Sequence, residues 1–98
     1  MLATPVYYYS VSAQMKTFID RTYCDFMNLK DKEFYFILSC ADPSNESIEA
    51  AVNTLRGFTV CLENAKEKGI VYGINAGAHG AVKDSKAMEE AYEMGRNL

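Results

Sequence analysis

Glu33 to Cys40 reads EFYFILSC. It is a nearly continuous apolar run of strand length, without polar alternation. Such a run predicts a strand covered on both faces, as in a parallel sheet. The flanks agree. Downstream, Asp42, Pro43, Ser44 and Asn45 form a turn and helix-start cluster. Ile48, Ala51, Val52, Leu55, Phe58, Leu62 and Ala65 then recur at helical spacing. Glu46 and Glu49 lie in the early turns and Lys66 and Lys68 in the last, a polarity that complements the helix dipole. Gly69 is placed as the residue that ends this helix. Ile70 to Ile74, IVYGI, reads as a further short strand. The glycine-bearing loop Asn75–Lys83 follows it. Asp84 or Ser85 is positioned to cap a last helix, on which Met88, Ala91, Tyr92 and Gly95 share a face, with Gly95 read as a close-packing position.

Upstream, Leu2–Val6 is a short apolar strand end. Ser10 and Ser12 are N-cap candidates. Met15, Phe18, Ile19 and Thr22 then fall on one helical face, of a helix expected to end near Tyr23 or Cys24. The order is strand, helix, strand, helix, strand, helix. This βαβαβα order predicts an α/β fold with a parallel sheet and right-handed crossovers. Three strands, Leu2–Val6, Phe34–Ser39 and Ile70–Ile74, make a small parallel sheet, and the first abuts the N-terminus. Such a chain reads as the second half of a larger doubly wound domain. One sheet edge and part of the last helix's apolar face should then be uncovered. An uncovered edge invites pairing with another chain, so a homo-oligomer is expected, through the sheet edge or a helix face.

Composition bounds the function classes. The 98 residues suggest one domain, and a net charge of -3 with scattered Lys and Arg argues against a nucleic-acid scaffold. No apolar run reaches the length of a membrane span. Cys24, Cys40 and Cys61 stand far apart with no CxxC pair, so no metal site is expected. An odd cysteine count without a signal peptide fits the cytoplasm. Cys40 reads as a small core residue, and Cys24 and Cys61 as helix packing. His79, the single histidine, sits in the glycine loop and reads as exposed and idle. The stretch NAGAHG lacks GxGxxG spacing and is no dinucleotide fingerprint. Asp20 and Arg21 read as structural, pairing with neighbouring helices or with another subunit. No residue is assigned a catalytic role.

Ligands of open α/β sheets bind outside the carboxyl ends of the strands. Here that means Pro5–Ser12, Cys40–Asn45 and Asn75–Asp84. The first loop holds three successive tyrosines, flat surfaces with hydroxyls for a planar ligand. On composition alone the stronger reading is that Tyr7, Tyr8 and Tyr9 are strand-end residues, partly core and partly interface. The whole stretch from Thr4 to Arg21, TPVYYYSVSAQMKTFIDR, resembles the loop-and-helix motif of the NADPH-dependent FMN reductase family, and most nearly its branch with iron–sulfur flavoproteins. The match lies in Pro-Val-Tyr, Ser-x-Gln-Met-Lys and Phe-Ile-Asp-Arg. The later GFTVCLENAKEKG and AMEEAYEMGRNL also resemble that branch. The resemblance implies a three-layer flavodoxin-like fold, of which residues 1–98 would be the C-terminal portion. It implies FMN as cofactor and NAD(P)H as reductant. Thr4, Pro5, Val6, Tyr7 and Tyr8 would lie against the flavin ring, and Ser39, Cys40, Ala41 and Asp42 would line it. The family's phosphate-binding loop and the cluster cysteines of that branch belong to a part not seen here. The expected function is thus an FMN-dependent NAD(P)H oxidoreductase completed by another half. The alternative is a non-catalytic module that self-associates or complements such a half.

Overall fold

The computed structural model describes residues 1–98. Four strands form one sheet in the order β2-β1-β3-β4. They are β1 (Leu2–Tyr7), β2 (Ser10–Val11), β3 (Glu33–Ser39) and β4 (Lys66–Gly73). Strands β1, β3 and β4 are parallel, with Ala3 opposite Ile37 and Ile37 opposite Val71. The two-residue β2 turns back antiparallel on β1, pairing Val6 with Val11. The expected α/β architecture is therefore present, flavodoxin-like in its parallel strands. The sheet is mixed because a short hairpin stands where an open loop was expected.

Helix α1 (Ala13–Arg21) follows the hairpin, with Ser12 as its cap: the Met15 N–H donates to Ser12 Oγ at 3.2 Å. It stops sooner than expected and tightens into a 3-10 helix over Thr22–Asn28. Phe18 is exposed, so only Met15 and Ile19 of its expected apolar face pack against the core. Helix α2 (Glu46–Val60) lays Ile48, Ala51, Val52 and Leu55 against Phe36 and Leu38 of β3, all six fully buried. This is the core.

Helix α2 ends at Val60, not at Gly69, which corrects the expected boundary. Asn64 takes a left-handed backbone (φ 54°) and donates through Nδ2 to Asp31 Oδ1 at 2.7 Å, across 33 residues of chain. Asn tolerates that conformation better than most residues. The chain then enters β4 at Lys66, four residues before the expected start. Lys66 pairs with Glu33 and Gly69 with Tyr35. Ile74, assigned to that strand, lies outside it and is exposed. A Cβ at Gly69 would meet the terminal methyl of Met94 at 3.1 Å, a tight contact that a flexible side chain can relieve.

Helix α3 (Lys86–Arg96) crosses the other face of the sheet over β4. None of its residues is buried. Gly95 has no neighbour where a Cβ would stand, so it is not a close-packing position. Cys24 and Cys61 are exposed rather than packed, whereas Cys40 is buried as expected. Asp20 pairs with Lys16 of its own helix at 2.6 Å. No helix is long and apolar enough to cross a membrane.

Candidate functional site

The carboxyl ends of β1 and β3 lie side by side, Pro5 opposite Ser39. Strand alternation divides the candidate residues between two faces. Thr4, Val6 and Cys40 point to the α2 side, where Thr4 and Cys40 are buried and Val6 packs against the core. Pro5, Ser39 and Tyr7 lie on the opposite side. There Ala3, Thr4, Pro5, Ile37 and Ser39 line an open depression of about 240 Å³.

Tyr8 and Tyr9 form the two-residue turn between β1 and β2. Both have positive φ, 49° and 64°. That pair of conformations suits the right-handed twist of a hairpin but ordinarily calls for Asn and Gly. For tyrosine it costs on the order of 1–2 kcal/mol per residue. The rings gain no burial in return: Tyr8 is fully exposed at 101%, and Tyr7 and Tyr9 are exposed as well. Strain held at an exposed aromatic turn points toward use.

Thr4 fastens this turn to the protein. Its buried Oγ1 accepts the Ser12 N–H at 3.0 Å and donates to the Pro5 carbonyl at 2.8 Å. Ser12 in turn caps α1. One hydroxyl thus sets the spacing between strand end, hairpin and helix start. Sequence reading placed Thr4 in the ring-contacting loop. The structure shows its side chain beneath the loop, as a brace.

The loop after β3 is tied to the loop after β4. Cys40 N–H donates to the Gly73 carbonyl (2.8 Å), Ala76 N–H to the Cys40 carbonyl (2.8 Å) and Asn75 N–H to the Asp42 carbonyl (3.0 Å). The Asp42 carboxylate accepts the Ser44 N–H at 2.8 Å and the Ser47 hydroxyl at 3.0 Å. The Ser44 backbone N–H, the Ser44 side chain and Ser47 together hold Asp42 below the usual carboxylate range. Asp42 is therefore a charged clamp on the start of α2, and Ala41 stands exposed above it. Nothing in the sequence pattern announced the Thr4–Ser12 bond or the strained turn. The links through Asn75 had one signal, an Asn beside a loop that needs a left-handed residue.

His79 is exposed in the last loop, apart from β1. A further apolar groove lies elsewhere, beneath the amino ends of the strands. It holds about 460 Å³ and is lined mainly by Ile19, Tyr23, Phe26, Phe58, Cys61 and Leu62. By the strand-end rule it is at the wrong end for the ligand of an open sheet.

The family description NADPH-dependent FMN reductase matches residues 1–64. The chain belongs to the NADPH-dependent FMN reductase family. The match spans the hairpin, α1, β3 and α2, so both strand ends of the candidate site fall within it. No curated protein and no solved structure matches the chain. Membership implies a flavoprotein of the FMN-dependent NAD(P)H reductase type. Strand β4 and helix α3 lie beyond the matched stretch.

Proposed function

We propose that the carboxyl ends of β1 and β3 and the tyrosine hairpin form the ring-binding part of an FMN-dependent NAD(P)H oxidoreductase. The observation that carries this reading is the strained, exposed Tyr8–Tyr9 turn within the family match. The residues fit the isoalloxazine ring: Pro5 and Tyr7 offer flat apolar surfaces beside the open depression at Ser39. They do not fit the phosphate equally well. Asp42, Glu46 and Glu49 make the start of α2 acidic, while α3 opens on Lys86, already paired with Glu90. A helix start dressed in carboxylates repels a phosphate that a bare one attracts. Lys16, near the start of α1, is already paired with Asp20.

When bound, FMN supplies the hydride-accepting chemistry. The chain's own residues orient and cover it. Thr4 fixes the height of the hairpin over the strand ends, and the three tyrosines exclude water from one side of a ring lying there. The phosphate anchor comes from a complementary half, and the electron acceptor is a quinone or a free flavin. Within the family the chain sits nearest the iron–sulfur flavoprotein branch, on the Thr4–Arg21 stretch, but Cys24, Cys40 and Cys61 stand on separate elements and serve no cluster.

Titration with FMN and with riboflavin tests this division of labour. Equal affinities are expected, each lowered by Tyr8→Ala. Tighter FMN binding by tenfold or more would show that this chain holds the phosphate itself. Failure to bind either flavin would remove the ring site. A non-catalytic module is the second reading, favoured by the half of the sheet that α3 leaves bare. It predicts no flavin binding and no NADPH oxidation when the complementary half is absent or present.

A further inference from the structure

The sheet ends on β4. No strand lies beyond it, so its outer edge is free along Lys66–Gly73. Strand alternation fixes which backbone groups that edge presents. The Gly73 carbonyl accepts the Cys40 N–H at 2.8 Å, so Gly69, Val71 and Gly73 turn their backbone groups to β3. Ile70 and Tyr72 therefore turn theirs outward. None of the turn, loop or cap hydrogen bonds uses the N–H or C=O of either residue. Two donors and two acceptors thus stand in a row without a protein partner, a template for one more strand.

The two halves of the edge differ. Lys66, Glu67 and Lys68 charge the amino half, and the ladder slips between Phe34 and Tyr35. Both features discourage pairing. Gly69–Gly73, GIVYG, has no charge, no proline and no slip in register. A trough of about 680 Å³ opens along this half, lined by Ile70 and Tyr72 of the edge and by Glu90, Glu93 and Met94 of α3. Tyr35 of β3 lines it too, because Gly69 carries no side chain to cover it. Glycine inside a strand suits the close approach of a second backbone.

The charged groups select the occupant. Lys68, at the amino end of the trough, is matched by Glu33 at 3.6 Å. Glu90 and Glu93 form the α3 wall. Their cations, Lys86 at 3.2 Å and Arg96 at 3.6 Å, are exposed and stand outside the trough lining. Such surface pairs hold weakly. The wall therefore favours a cationic side chain.

We infer that the Gly69–Gly73 edge of β4 is a docking site for an extended peptide of a partner protein, which adds as a fifth strand and points Lys or Arg at Glu90 and Glu93. Main-chain bonds to Ile70 and Tyr72 supply affinity, and alternate basic side chains supply specificity. A second copy of this chain is a poorer occupant. A continuous sheet would set both α3 helices on one face, with the same carboxylates turned toward each other. Helix α3 packs over β4 and leaves the β1 half of its face bare. That bare half and the ring site are both at β1, so neither competes for this edge.

Fluorescence anisotropy of the purified chain with labelled short peptides tests the inference. One peptide alternates valine with lysine, a second alternates valine with glutamate, and a third is the first with all its amides N-methylated. The first is expected to bind more than tenfold more tightly than either of the others. Glu90→Gln with Glu93→Gln should remove the preference for lysine over glutamate and leave the effect of N-methylation, with the fold verified by circular dichroism. Amide hydrogen exchange reads the edge itself. The Ile70 and Tyr72 amides should exchange freely in the chain alone and slow more than tenfold with the first peptide, while Val71 stays protected throughout. No binding of the first peptide at millimolar concentration overturns the inference. So does equal binding of the lysine peptide and either of the others, or unchanged exchange at Ile70 and Tyr72. Slow exchange of those two amides in the chain alone, lost on dilution, assigns the edge to a second copy and overturns it as well.

Discussion

Single residues carry the conflict between folding and use. Tyr9 holds φ at 64° with its ring exposed at 56%. Glycine adopts that backbone without a Cβ clash, at the expense of a more flexible unfolded chain. Tyr9→Gly is therefore expected to stabilise the protein by about 1 kcal/mol in urea unfolding while lowering flavin affinity. A residue kept at a loss to stability and restored at a loss to binding is the signature of a site. Thr4 behaves oppositely. Its side chain is buried and its hydroxyl is the partner of the Ser12 N–H. Thr4→Val keeps the shape and leaves that N–H without an acceptor, a loss of about 1–3 kcal/mol. Thr4→Ser keeps the bond and should restore most of it. The measurement is the same unfolding curve, with the flavin titration beside it.

Elements show where sequence reading worked and where it stopped. Strand β3 was legible because EFYFILSC is a nearly continuous apolar run, yet the cover expected on both faces is complete only on the α2 side, where Phe36 and Leu38 are buried, while Ile37 on the other face is half-buried. Strand β4 was half legible. Lys66, Glu67 and Lys68 look like the charged end of a helix, yet they extend the sheet at its outer edge, where side chains reach water. Arg56 of α2 binds Glu67 through two bonds of 2.8 Å, an intention no local pattern reveals. That pair sets a pH dependence. Hydrogen bonding from Arg56 lowers the Glu67 pKa from its ordinary 4.5. A depressed carboxyl contributes stability above its unfolded value and loses it as pH falls through the folded one. Both side chains are partly exposed, so the effect is about 0.2–1 kcal/mol. Glu67→Gln should flatten the stability–pH curve below 4.5, followed by urea midpoints. The glycines of β4 offer a second test. At Gly73 a Cβ would meet the Leu38 carbonyl at 3.0 Å, but at Gly69 only the terminal methyl of Met94 at 3.1 Å. Backbone cannot give and a Met methyl can. Gly73→Ala is expected to cost about 1–3 kcal/mol and Gly69→Ala clearly less, in the same assay. The candidate site was legible as a place, the strand ends and the tyrosines, but not as a geometry. Its brace runs from Thr4 to Ser12, eight residues along the chain, through a hydroxyl that sequence counts as one more strand residue.

At the scale of the whole molecule, the core is small for the chain that carries it. Fourteen of 98 residues are buried, and α3 contributes none of them. A cover on the bare half of the sheet would add to the stability of so small a core. If that cover is a second copy, folding and association are one equilibrium, and stability depends on protein concentration. A tenfold rise in concentration adds about 1.4 kcal/mol to the dimer, or roughly 0.7 kcal/mol per protomer. For a domain near 100 residues, each kcal/mol moves the thermal midpoint by about 4–8 °C. The midpoint should therefore climb by roughly 3–5 °C for each tenfold increase in concentration. In Tyr92→Glu, a charge at an exposed position of α3, it should be lower and should not move with concentration, because the unfolding unit is then a single chain. A concentration-independent midpoint in the wild type would mean that the protomer is stable with its sheet bare. Met88 and Tyr92, exposed on α3, would then have no part in holding the fold together.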